Sequence, residues 1–126
     1  MPFGLQSDIP DRVLPDALRT LLVEQTTALE TLLHYAHDIM DTLRSDGNLS
    51  PQERATQIDA LAHEVAERWN TLEDRNRQIQ AQIEAFEQLL RRQGNSILGH
   101  TVERVKEVME RNMAVARHHL NAIIRT

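Results

Sequence analysis

Cysteine is absent from this sequence. Disulfides, thiol catalysis and cysteine-ligated metals are therefore excluded, and the composition fits a cytoplasmic protein. Aromatic residues are scarce: Phe3, Tyr35, Trp69 and Phe86 make up 3% of the chain. Glycine and proline number four each, and only Gly94 and Gly99 lie beyond Pro51. A β domain needs turn residues throughout its length, so this distribution points to an all-α protein. Lysine is nearly missing, with Lys106 the single lysine among 14 basic residues. The net charge is −5, and the densest basic cluster, Arg75, Arg77, Arg91 and Arg92, is interleaved with Glu73, Asp74, Glu84 and Glu87. Such a mixed-sign face is a solvated helix surface, so no nucleic-acid partner is expected. Long apolar runs are absent too. The opening MPFGLQSDIPDRVLP has neither a basic start nor an apolar stretch, so no signal peptide and no membrane insertion are expected.

What is present is heptad order. The chain has 126 residues, 40% of them hydrophobic and 26% charged, enough for one domain spanning 1–126 with residues 1–11 as an extended arm. Asp11 or Pro15-Asp16 opens a first helix to about residue 45. Its seam is Leu18, Leu22, Gln25, Leu29, Leu32, Ala36, Ile39 and Leu43, in alternating steps of four and three. SDGNLSP breaks the pattern, with Gly47 and Asn48 as stops and Ser50-Pro51-x-Glu53 as a capping box. A second helix follows over 51–93, with seam Ile58, Ala62, Val65, Trp69, Leu72, Asn76, Ile79, Ile83, Phe86 and Leu90. Gly94-Asn95 ends it. The third, over 96–125, carries Leu98, Val102, Val105, Met109, Asn112, Ala116, His119 and Ile123. Three such helices with short connections predict an elongated antiparallel three-helix bundle, supercoiled like a coiled coil.

Folding the last two helices about Gly94 sets their register. Leu90 then faces Leu98, Ile83 faces Val105, Asn76 faces Asn112 and Trp69 faces His119. Gln25 falls near the same layer. A polar layer of Gln25, Asn76 and Asn112 costs stability but penalises every register that leaves an amide against leucine. His119 fits beside Trp69 with one ring nitrogen reaching water.

Catalytic chemistry finds no foothold. His34/Asp38, His37/Asp41 and His63/Glu67 have helical ligand spacing but lie off the seams, where charged surface pairs are common. HEVAE lacks the second histidine of the zinc-protease motif, and no Glu-x-x-His di-iron signature occurs. The serines sit in loops or caps, and no phosphate-binding glycine loop exists. The chain reads as a non-enzyme without cofactor or metal.

Binding remains. The third helix is apolar on both sides of its seam, through Met113, Leu120 and Ile124 on one and Val108, Val115 and Ala122 on the other. In the register above Thr126 falls level with Ala62. Beyond it the hairpin of the first two helices continues alone, carrying Tyr35, Ile39, Met40, Leu43, Ala55 and Ile58 uncovered. Such a stripe suits a partner or a second copy, leaving monomer and homodimer both open. Against this, residues 1–13 can fold back over a bundle end through Phe3, Leu5, Ile9 and Val13, most readily near Ile83 to Leu90.

The run LLVEQTTALETLL (21–33), the second long helix and the closing MERNMAVARHHLNAII (109–124) resemble the FlgN family of flagellar export chaperones. Asn112 matches one of the two asparagines usual in that family's last helix; Met109 stands at the other, and Val115-Ala116 replaces its leucines. The resemblance implies a cytoplasmic helical chaperone. It would bind C-terminal helical segments of hook–filament junction proteins, the hook-associated proteins, and deliver them to the type III export gate. It places His119, Leu120, Ile123 and Ile124 at the edge of a client groove. With Met109, Asn112, Met113 and Ala116 on the same helix, and Ile39, Met40, Leu43 and Ile58 at the hairpin tip, they form the candidate partner surface.

Overall fold

The computed structural model describes residues 3–10 and 12–125. Three helices, α1 (Asp16–Ser45), α2 (Pro51–Arg92) and α3 (Ser96–Arg125), account for most of them, and no strand occurs among the described residues. Each helix packs against both others, giving the expected all-α three-helix bundle. At about 1.5 Å per residue, α2 is a rod of roughly 60 Å.

Local chemistry fixes the helix ends. α1 begins after Pro15 with Asp16 in its first turn, where a negative charge suits the helix dipole; Asp11 lies outside the described residues. Its stop is not a left-handed Gly47. The Asp46 backbone N–H bonds the Thr42 carbonyl, and the Asp46 carboxylate accepts from Asn48 N–H at 3.0 Å, turning the chain. Arg54 then reaches back from α2 to the carbonyls of Leu43 and Asp46, both at 3.0 Å. Ser50 caps α2 by accepting from Glu53 N–H at 3.1 Å, ahead of Pro51 at a first-turn position. Gly94, at φ 70°, ends α2, with Gly94 N–H on Arg91 O and Asn95 N–H on Leu90 O, each 3.1 Å. Asn95 turns the same corner into α3 by accepting from Leu98 N–H at 3.1 Å.

The core is divided. One cluster gathers Leu29, Leu32, Leu33, Ala36 and Met40 of α1 with Leu61, Val65, Trp69, Ala116 and Leu120. The other gathers Leu18 and Leu22 with Ile79, Ile83, Leu90, Val102, Val105, Val108 and Met109. Gln25 and Asn112, both buried, lie between the two. The heptad seam accounts for most of these positions but not Leu33, Met40, Leu61, Val108 or Leu120. Each helix faces two neighbours, so its buried stripe is wider than a two-stranded seam.

Three expectations are corrected. The two-helix tip is only partly open: Met40 and Leu43 are 1% and 6% exposed and Arg44 donates to the Ile123 carbonyl at 3.3 Å, while Tyr35, Ile39 and Ile58 are partly exposed and Ala55 is exposed. One side chain of α1 thus links the end of α3 to the last turn of α1. Thr126 lies outside the described residues. Second, the N-terminal arm does not cap an end. It runs along the bundle and buries Leu5 in the first cluster and Ile9 in the second, while Val13 is 89% exposed. Third, Trp69 is faced by the guanidinium of Arg117, 5.4 Å from its ring centroid, and His119 turns to the arm instead.

A buried charge pins α2 to α3. Glu87 is 6% exposed, and its carboxylate meets Lys106 at 3.5 Å and Arg91 at 3.6 Å. Interaction with the neighbouring Glu103 carboxyl and the charges of Lys106 and Arg91 hold the Glu87 carboxyl below its usual range, against the cost of burial. Burial also opposes the Lys106 ammonium, but Glu87 and Glu103 outweigh it and raise its pKa. The Glu87 contribution is complete above its unfolded pKa and lost as pH falls through the depressed folded value. The Lys106 contribution is complete below its unfolded pKa and lost as pH rises through the raised one. Stability to urea is expected to be flat between about pH 5 and 10 as far as this pair decides it, and to fall on either side. Glu87→Gln should shrink the acid limb, as read from urea midpoints between pH 3 and 5. In the core, Ile83→Ala, at a fully buried position, should cost about 2–5 kcal/mol in the same assay.

Candidate functional site

The polar layer is built around one side chain. Gln25 donates from Nε2 to Asn76 Oδ1 at 2.8 Å and to the Met109 carbonyl at 3.0 Å. Its Oε1 accepts from Asn112 Nδ2 at 3.2 Å. Both amide protons and the oxygen of Gln25 are thereby used, as burial in a low-dielectric core requires. Asn76 and Asn112 are linked through Gln25, where the sequence suggested a direct pair. The reason is geometric: Gln25 comes from the third helix of the layer and can span the other two.

Asn112 has a second role. Its Oδ1 accepts from the Gln6 backbone N–H at 2.9 Å, and its Nδ2 donates to the Gln6 carbonyl at 2.8 Å. Two residues back along the arm, Arg111 donates to the Gly4 carbonyl at 3.0 Å. His119 Nε2 lies 3.0 Å from the Phe3 carbonyl. The Phe3 ring sits edge-on between His34 and His119, at 5.1 and 5.4 Å between ring centroids. Asp8 approaches Arg19 at 4.0 Å. Residues 3–9 therefore lie in the groove between α1 and α3, running antiparallel to both.

The candidate partner surface divides accordingly. Met109, Asn112, Ala116, Leu120, Met40 and Leu43 are buried. They belong to the core or hold the arm and present no open surface, which corrects their assignment to an exposed stripe. Met113, His119, Ile123, Ile124, Ile39 and Ile58 are partly exposed. Tyr35, Leu72, Val115 and Phe3 are partly buried beside the same cluster, whereas the other cluster carries only Leu21, Phe86 and Leu98 in that condition. Half-covered apolar side chains are thus concentrated at the end of the bundle where α1 turns into α2 and α3 finishes. The Arg68 guanidinium lies 4.1 Å from the Tyr35 ring centroid and bonds Glu64 at 2.9 Å. The Tyr35 hydroxyl shares a hydrogen bond with Glu64, raising the phenol pKa and lowering that of the carboxyl.

The histidine pairs go separate ways. His37 meets Asp38 and Asp41 at 3.4 and 3.8 Å, His63 lies 3.0 Å from the Asp59 carbonyl, and His34 meets the Phe3 ring edge-on. Among the described residues no group of three His, Cys, Asp or Glu is placed to hold a metal ion, and no helix is long and apolar enough to cross a membrane. Gln6 and Arg111 were not marked by the sequence as site residues. The available signal was the alternation of Phe3 and Leu5, which suits an extended segment, together with polar residues on the α3 seam. No known family, curated protein or solved structure matches this chain.

Asn112→Ala leaves Gln25 Oε1 without its donor in the core and frees the arm backbone. A loss of about 3 kcal/mol is expected, from about 1–3 kcal/mol per orphaned group. Replacing Gln25, Asn76 and Asn112 together by leucine orphans none of the three amides. That variant should keep its helicity and unfold at a higher temperature than wild type, while hydrogen exchange at the Gln6 amide becomes fast.

Proposed function

We propose that this protein is a non-enzymatic helical-bundle chaperone that holds an apolar segment of a secreted partner. The observation that carries the reading is the crowding of half-exposed Ile39, Ile58, Ile123 and Ile124 at one end of the bundle. A partner's amphipathic helix laid across them buries its own apolar stripe and completes theirs, with no cofactor or nucleotide required. Tyr35 and Arg68 flank the patch and supply a polar rim. The resemblance of residues 21–33 and 109–124 to the FlgN family supports hook-associated flagellar proteins as clients, the cytoplasm as the setting and the export gate as the destination.

A second reading, a self-associating structural bundle without an export client, draws on the opposite end. There Val13 and Ile97 are 89% and 76% exposed.

The two readings separate by light scattering of the protein alone and with C-terminal fragments of hook-associated proteins. The chaperone reading expects a monomer that forms a one-to-one complex. Ile123→Asp and Ile124→Asp should each weaken that complex at least about tenfold with helicity retained. Leu120→Asp does not discriminate, because Leu120 is a core residue whose loss disrupts folding first. A stable dimer indifferent to every fragment would favour self-association.

A further inference from the structure

The arm is held as a peptide ligand is held, not as a piece of secondary structure. A helix surface offers no free backbone groups for a neighbouring extended chain, because its N–H and C=O groups are spent internally. Here α3 side chains take over that task. Phe3 O, Gly4 O and both backbone groups of Gln6 are met by His119, Arg111 and Asn112. The bidentate pairing of one amide with one extended residue accepts any residue that retains its backbone N–H. Side-chain selection falls elsewhere: Leu5 and Ile9 are 4% and 2% exposed, and Phe3 lies between two imidazoles. Gly4 sits at φ 72°, a conformation that disfavours residues with a Cβ. The side chain of Gln6 points outward and is not read.

The arm also lacks the ladder of internal hydrogen bonds that secures each helix. Its described residues have no regular secondary structure; Leu5, Ile9 and the Leu14 before α1 are buried in the core, and Phe3 is partly buried against it. The segment that joins it to α1 exposes Arg12 and Val13. Elements with few buried contacts open locally without global unfolding.

We propose that the groove between α1 and α3 is a binding site for an extended segment of another polypeptide, with residues 3–9 as its tethered occupant. The segment it takes carries a large apolar residue, glycine and a second apolar residue in succession, and a further apolar residue four positions on, matching Phe3, Gly4, Leu5 and Ile9. This site is distinct from the helix-binding patch at the bundle end and does not rest on the flagellar reading. A tethered arm competes at an effective concentration of about millimolar, so a free segment binds wild type weakly and an arm-released protein much more tightly.

The test uses the full chain and a fluorescein-labelled synthetic peptide of residues 3–10. Leu5→Asp releases the arm. Anisotropy titration should show the peptide binding Leu5→Asp at least tenfold more tightly than wild type. Adding Arg111→Ala to that variant, or Gly4→Val to the peptide, should weaken binding. If Leu5→Asp loses helicity, recovery of its helical signal and melting temperature on adding the peptide is the equivalent positive result. Neither tighter binding nor recovery makes the arm an inseparable part of the core and overturns the proposal. A wild-type dimer that the peptide dissociates would assign the groove to a second copy's arm, and so overturn the assignment to a foreign segment.

Discussion

The amide of Gln25 is the joint on which this molecule depends. It contacts Asn76 of α2, and on α3 both the Met109 carbonyl and the Asn112 side chain, while belonging to α1 itself. Through Asn112 the network passes on to the backbone of Gln6. Three helices and the arm are therefore registered by one set of hydrogen bonds at one level of the bundle. In an apolar core such a set works by exclusion: sliding any helix by a turn strands an amide against leucine, and an orphaned amide costs more than a satisfied one contributes. Long heptad helices need that constraint, since hydrophobic seams alone fit themselves equally well one heptad out of place.

The same layer separates two halves with different character. Towards the α2–α3 corner the core is closed at its centre, with Val13, Leu89 and Ile97 exposed on its rim. Ile79, Ile83, Val102, Val105 and Met109 are almost wholly buried, Gly94 and Asn95 turn the chain with their hydrogen bonds satisfied, and Glu87 with Lys106 fastens the outer edge. Towards the α1–α2 turn the core is equally dry at its centre but is ringed by side chains only partly covered. A monomer gains little by leaving so many apolar groups half in water at one end. The proposed partner surface follows from this imbalance. The groove beside it follows from a different fact, that α3 spends polar side chains on the backbone of an extended segment.

These two features give different answers to one puzzle, the presence of an amide and an imidazole on the apolar stripe of α3. Asn112 serves register and arm at once. His119 serves the arm alone, through the Phe3 carbonyl and ring. A residue between core and surface can be polar without cost when its partner is a backbone group that water has left.

Much of this was legible in the sequence. Uninterrupted four-three spacing gave three helices because a buried stripe repeats with the helical turn, and Ser50-Pro51 and Gly94 marked boundaries because caps and left-handed turns demand those residues. Gln25, Asn76 and Asn112 stood out as polar residues at core positions, so their common layer could be anticipated from register alone. Only the tertiary structure decided how that layer is wired, where the arm lies and how the end of α3 is linked to α1. Each of these depends on contacts between segments far apart in the chain. Residues 3–9 carry too few apolar side chains to declare a destination, and Arg44 reaching Ile123 or Asn112 reaching Gln6 leaves no periodic trace. Periodicity reports which face of a helix is buried; it does not report what buries it.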